Sequence, residues 1–112
     1  MAAAASAPTP LAALGDADKL DEQTQDKFLI QGMRFLVIGN INSARLLFER
    51  AADAGNARAA LLMGDTFDDV RLNQLGVLGV VPDRARSVYW YERADELGAP
   101  EAKERLSELN LR

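Results

Sequence analysis

The sequence predicts an all-α domain built from stacked helical hairpins, and three observations carry that prediction. Apolar residues recur at helical spacing from about residue 18 to residue 109. A hairpin pattern occurs twice: Phe28-x2-Gln31-Gly32-x2-Phe35 followed by Ala44-x3-Phe48 and Ala51, then Ala60-x2-Met63-Gly64-x2-Phe67 followed by Ser87-x3-Tyr91 and Ala94. No stretch of useful length alternates with period two. Units this small cannot bury their own apolar faces, so they must stack on one another into a solenoid.

Each element follows in order. Residues 1–15 hold small residues and two of the prolines, end at Gly15, and read as a flexible linker or the point where a longer protein was cut. A long helix is expected from about Asp18, with Asp18, Asp21 and Glu22 at the positive end of its dipole. Its stripe is Leu20, Phe28, Leu29, Phe35 and Leu36, and Gly39 is its stop. Asn40 caps a second helix of about 41–54, whose face is Ile41, Ala44, Leu47, Phe48, Ala51 and Ala52.

Gly55 ends that helix and Asn56 caps a third, about 57–68, carrying Ala60, Leu61, Met63, Gly64 and Phe67. A connection from Asp69 to Pro82 follows, with Gly76-Val77-Leu78-Gly79-Val80 read as a turn whose valines tuck against helices. Asp83 caps a fourth helix of about 84–97, with Val88, Trp90, Tyr91, Ala94 and Leu97 inward. Past Gly98, Pro100 sits in the first turn of a last helix of about 100–109. The repeat spacing agrees: Gly32 and Gly64 lie 32 residues apart, whereas Gly55 and Gly98 lie 43 apart. The 11 extra residues are the longer connection in the second unit.

A mid-helix glycine costs about 1 kcal/mol relative to alanine. Gly32 and Gly64 accept that cost at the same point of the repeat, which implies close approach of the partner helix, with small Ala44 and Ser87 facing them. The long first helix and the charged last helix (Glu101, Lys103, Glu104, Arg105) are the expected polar caps, with Glu101 and Arg105 spaced as an ion pair.

Composition restricts the chemistry. The 112 residues contain 48% hydrophobic and 27% charged residues, as in an ordinary soluble domain. Such a chain is expected to bury roughly 65% of its unfolded surface. The net charge of −4 is spread along the chain, which argues against nucleic acid or an anionic membrane as partner. There is no Cys and no His. Disulfides, thiol catalysis and thiolate metal sites are excluded, and the commonest general base and metal ligand are missing. No catalytic residue, cofactor or metal is expected. No apolar run reaches membrane-spanning length and the start lacks a basic signal-peptide region, so the chain as it stands reads as cytoplasmic.

The repeated motif resembles that of the tetratricopeptide superfamily, aromatic-x2-Leu-Gly-x2-Tyr followed by Ala-x3-Phe and Ala. It is more similar to the Sel-one-like subclass, whose inter-helix loop and Trp-Tyr-x-x-Ala second helix correspond here to Gly76-Val77-Leu78-Gly79-Val80 and Trp90-Tyr91-Glu92-Arg93-Ala94. The likeness covers about residues 25–106. It departs at Gln31 and Ala60, where Leu and an aromatic residue are usual, at Ser87 in place of Ala, and in a longer loop. The resemblance implies a right-handed α-α superhelix of about two hairpins plus a capping helix. It also implies a non-catalytic protein-binding module whose first helices line a concave groove, of a kind often found in the C-terminal part of longer bacterial proteins.

Carried over by position, the groove residues are Asp26, Leu29, Met33 and Leu36 from the first unit and Arg58, Leu61, Asp65 and Asp68 from the second. This implies an apolar floor with an acidic rim, suited to a protein or peptide segment bearing a hydrophobic anchor and a Lys or Arg. The alternative is a structural role, the module stacking on itself as a homodimer or on further repeats of a parent protein. Asp65, Asp68 and Asp69 share a helical face, and without a ligand-bearing turn they read as a solvated helix edge rather than a cation site. Nothing marks a carboxylate pair for glycosidic chemistry, and the Gly76–Val80 loop lacks a phosphate-binding ending.

Overall fold

A computed structural model describes residues 20–111 of the chain. These form six helices: α1 (Glu22–Val37), α2 (Ile41–Asp53), α3 (Ala57–Asp65), α4 (Asp69–Leu75), α5 (Arg84–Leu97) and α6 (Ala102–Asn110). There is no strand among the described residues. The linker assigned to residues 1–15 lies outside them.

Packing is sequential. Helix α1 lies on α2, α2 on α3, α3 on α5, and α5 on α6. The short α4 sits in the connection between the paired helices α3 and α5.

Local signals place the helix ends. The helix start expected near Asp18 lies outside the described residues, and Asp21 is the N-cap of α1, its Oδ1 accepting from the Thr24 N–H at 2.8 Å. That bond also holds the Asp21 carboxyl below its ordinary pKa. Asn40, Asn56 and Asp83 cap α2, α3 and α5 as expected, accepting from the N–H groups of Ser43, Ala59 and Arg86. Gly39 and Gly98 take the left-handed conformation at φ +82° and +104°, where an L side chain is strained.

Helix α3 ends at Asp65, three residues short of the expected stop. Its last turn is closed from outside. The Thr66 hydroxyl donates to the Met63 carbonyl at 2.7 Å, and Arg45 from α2 donates to Thr66 Oγ1 at 3.1 Å and to the Thr66 carbonyl at 2.6 Å. The Arg45 guanidinium also lies 3.8 Å from the Phe67 ring centroid. Burial pushes the Arg45 pKa down, and the neighbouring Arg86 adds to that.

Two apolar clusters occupy the interior. Leu36, Ala44, Phe48, Leu62, Met63 and Phe67 form the first, between the hairpins. The second is centred on Ala51, Ala60, Leu61, Tyr91, Ala94 and Ala102. Leu29 and Trp90 pack against both.

The two mid-helix glycines hold equivalent places. A Cβ built on Gly32 would come closer than 3.0 Å to the Phe48 ring, and one on Gly64 closer than 3.0 Å to the Tyr91 ring. Close approach is therefore real, but it is made by the aromatic four residues beyond Ala44 or Ser87 and not chiefly by those small residues. Ser87 has its own contact, its hydroxyl donating to the Gly64 carbonyl at 2.9 Å. Both rings are fully buried, so neither can swing away from an added methyl group.

Helix α1 departs from the polar cap expected of a terminal helix. Ile30, Val37 and Ile38 are 54%, 82% and 73% exposed on its outer side. At the other end, α6 presents exposed Lys103, Glu104, Ser107 and Asn110.

Candidate functional site

Helical phase decides what lies on the inner side of α3. Leu61, Gly64 and Asp65 follow one another at i, i+3 and i+4, so whatever packs on Gly64 also covers the Asp65 carboxylate, and the turn beyond α3 brings Asp68, the N-cap of α4, to the same ring. The Tyr91 hydroxyl contacts Asp65 Oδ1 at 2.6 Å and Asp68 Oδ2 at 2.8 Å. Arg105 from α6 closes the group, its Nε donating to Asp65 Oδ1 at 2.8 Å and its Nη2 to Asp65 Oδ2 at 3.2 Å. Asp68 also caps α4, accepting from the Val70 N–H at 3.0 Å.

Arg105 pairs with one of the two carboxylates, Asp65, and the Tyr91 hydroxyl lies between both. Burial, followed by the Asp65 charge, raises the Tyr91 pKa and keeps the phenol neutral. The bidentate bond from Asp65 raises the Arg105 pKa against the opposing effect of burial. Asp65 and Asp68 are thus buried structural groups, and the reading of Asp65, Asp68 and Asp69 as a solvated edge is corrected for the first two. Only Asp69 of the three is exposed. Arg105 pairs with Asp65 rather than with Glu101.

The other expected groove residues separate accordingly. Met33, Leu36, Arg58 and Asp65 meet at one cleft of about 210 Å³. Leu36 and Leu62, both buried, form its floor, and the more exposed Met33 and Leu75 stand at its sides. Leu61 and Asp68 lie in the interior at 1% exposure each and take no part in a surface. Asp26 is exposed on α1 and Leu29 is half-buried against the core, both away from the cleft lining.

The rim is basic where an acidic one was expected. Arg58, Arg71 and Arg105 line the cleft against the single carboxylate of Asp65, which Arg105 already holds. Arg71 is fixed by Gln74 at 2.9 Å and Glu108 at 2.9 Å, and its buried Nε has no hydrogen-bond partner among the described residues. Arg58 is exposed and pairs with no described residue.

The sequence reading missed Leu62, Arg71, Gln74, Leu75 and Arg105 as cleft residues. Arg71, Gln74 and Leu75 belong to α4, a helix of 7 residues inside a segment taken as irregular. A legible signal existed: Asp68-Asp69 at its start and Gly76 at its end are a helix start and stop, and Gly76 takes φ +73°.

Comparison with family models, with curated proteins and with solved structures finds no match to this chain. What the site can do therefore rests on its own geometry. Its volume is below the roughly 300 Å³ at which small-molecule sites begin, and suits one or two inserted side chains. No helix among the described residues is long and apolar enough to cross a membrane.

Proposed function

We propose that this chain is a non-catalytic protein-interaction module of the tetratricopeptide-like, Sel-one-like kind. In this reading it is a short right-handed superhelix that docks a peptide segment or an adjacent domain in the cleft between α1, α3, α4 and α6. The observation that carries the proposal is the cleft itself: an aliphatic floor, open at the surface and bordered by arginines, one of them unpaired. The matched contacts of Gly32 with Phe48 and Gly64 with Tyr91 support the repeat, because two units of one motif pack in the same way. A single inserted apolar side chain with polar contacts around it is how short peptides are held.

The test is affinity capture from lysate with Met33→Asp as the paired control, both eluates quantified by mass spectrometry. At least one protein is expected to be retained by the wild type and lost with the variant. Equal recovery of every captured protein refutes the cleft as the docking site.

A second reading, stacking on another copy or on further repeats of a parent protein, is favoured by the outer side of α1. Ile30, Val37 and Ile38 are exposed there, and Phe35 and Ile38 border a hollow of about 350 Å³. Light scattering after size exclusion tests the self-association form of it. A dimer abolished by Val37→Asp supports it, and a concentration-independent monomer contradicts it.

A further inference from the structure

We infer that the occupant of the cleft is an acidic segment of a partner protein, an aliphatic side chain entering between Met33 and Leu75 while a flanking Asp or Glu carboxylate pairs with Arg58. The inference rests on the peptide-docking reading above and names the chemistry of the partner. Charge complementarity argues for it. The chain as a whole carries a net charge of −4, yet the cleft lining holds three arginines and one aspartate.

The cations are not equally available. Arg105 spends its Nε and Nη2 on Asp65. Arg71 is held by Gln74 and Glu108. Arg58, exposed and unpaired at the start of α3, is the cation left to receive an incoming anion. It also sits in the first turn of α3, where the amide dipoles add to its positive field. A basic segment would meet the opposite: like charges at Arg58, and a nearby carboxylate, Asp65, that is already neutralised.

The size of the site fixes the other half of the partner. Leu36 and Leu62 make the floor apolar, and the volume of about 210 Å³ admits a Leu, Ile or Met side chain but not a folded surface. An aliphatic residue with acidic neighbours satisfies both the floor and the rim. Long-range attraction between opposite charges speeds encounter, and the buried apolar anchor sets the lifetime of the complex.

The experiment pans a phage-displayed random dodecapeptide library against the wild-type chain and against Arg58→Glu, in parallel with Met33→Asp. Arg58 is exposed, so Arg58→Glu keeps the fold, which circular dichroism verifies. Wild-type binders are expected to be enriched in Asp and Glu beside Leu, Ile or Met. The best of them, resynthesised, is expected to bind Arg58→Glu about three- to thirtyfold more weakly, as loss and reversal of one exposed pair implies. It is also expected to bind less tightly as salt rises from about 0.05 to about 0.5 M. Binders that lose affinity with Met33→Asp but show no acidic enrichment, or ignore Arg58→Glu, overturn the acidic-partner inference and leave the docking reading standing. Retention of no peptide at all overturns both.

Discussion

Replacing Tyr91 with Phe removes one oxygen from the middle of the domain and leaves the ring against Gly64 in place. The lost hydroxyl stands between two buried carboxylates, 2.6 Å from Asp65 and 2.8 Å from Asp68. A phenol has one proton, so it donates to one carboxylate at a time. Hydrogen bonds to charged acceptors contribute about 1.5–3 kcal/mol each. Asp65 keeps Arg105 and Asp68 keeps the Val70 N–H, so neither is stripped bare. The expected loss is thus about 2 kcal/mol, which for a domain of this size lowers Tm by about 8–16 °C. Thermal melting followed by circular dichroism near pH 8 reads it. A fall of less than about 3 °C would refute the reasoning, because it would mean the hydroxyl contributes no more than a solvated one. The pH dependence gives a second reading of the same group. In the unfolded chain the phenol loses its proton near pH 10, whereas burial and Asp65 hold it on in the fold. Above that pH the folded state binds more protons than the unfolded one, so the stability Tyr91 contributes is complete below it and declines as pH rises. The penalty for Tyr91→Phe, measured by urea titration, is accordingly expected to shrink by about 1 kcal/mol between about pH 10 and about pH 11.

Other substitutions test separate parts of the fold. Gly64→Leu forces a side chain into the Tyr91 ring and is expected to destabilise by about 2–3 kcal/mol in denaturant titration, overpacking outweighing the gain in helix propensity. Arg45→Met keeps the aliphatic stem but removes the bonds to Thr66 and the contact with Phe67, and a loss of about 1.5–3 kcal/mol is expected. Asn56→Ala removes both the cap of α3 and the bond to Gln25, and is expected to cost about 1–2 kcal/mol, whereas Asn40→Ala removes a cap alone and costs about half that. An equal penalty at the two asparagines would show that the Gln25 bond contributes nothing.

Much of the architecture was legible because short-range rules govern it. Asn40, Asn56 and Asp83 start helices where cap chemistry places them, and α5 runs from Arg84 to Leu97 as its periodicity indicates. The glycine repeat pointed to close packing, although counting along the motif singled out Ala44 and Ser87 while Phe48 and Tyr91 make the contact. The site was less legible for a physical reason. Position in a repeat assigns a residue to a helix face, but burial depends on what later elements add to that face. Asp65 and Asp68 read as rim residues until α5 and α6 supply Tyr91 and Arg105. Those partners lie 23 to 40 residues away in sequence, beyond any local pattern. The cleft's three arginines come one each from α3, α4 and α6, and only Arg58 on α3 belongs to a repeated first helix.

The most direct test of the packing on which cleft and core both depend is a double-mutant cycle on Gly32 and Phe48. Gly32→Ala alone is expected to destabilise, since the added methyl would lie within the Phe48 ring. With Phe48→Leu in place the ring is gone, and the same alanine is expected to become neutral or stabilising through helix propensity, a coupling of about 1–2 kcal/mol in urea titrations. A coupling below about 0.5 kcal/mol would contradict the nesting of aromatic rings on bare glycines as the device that joins each pair of helices.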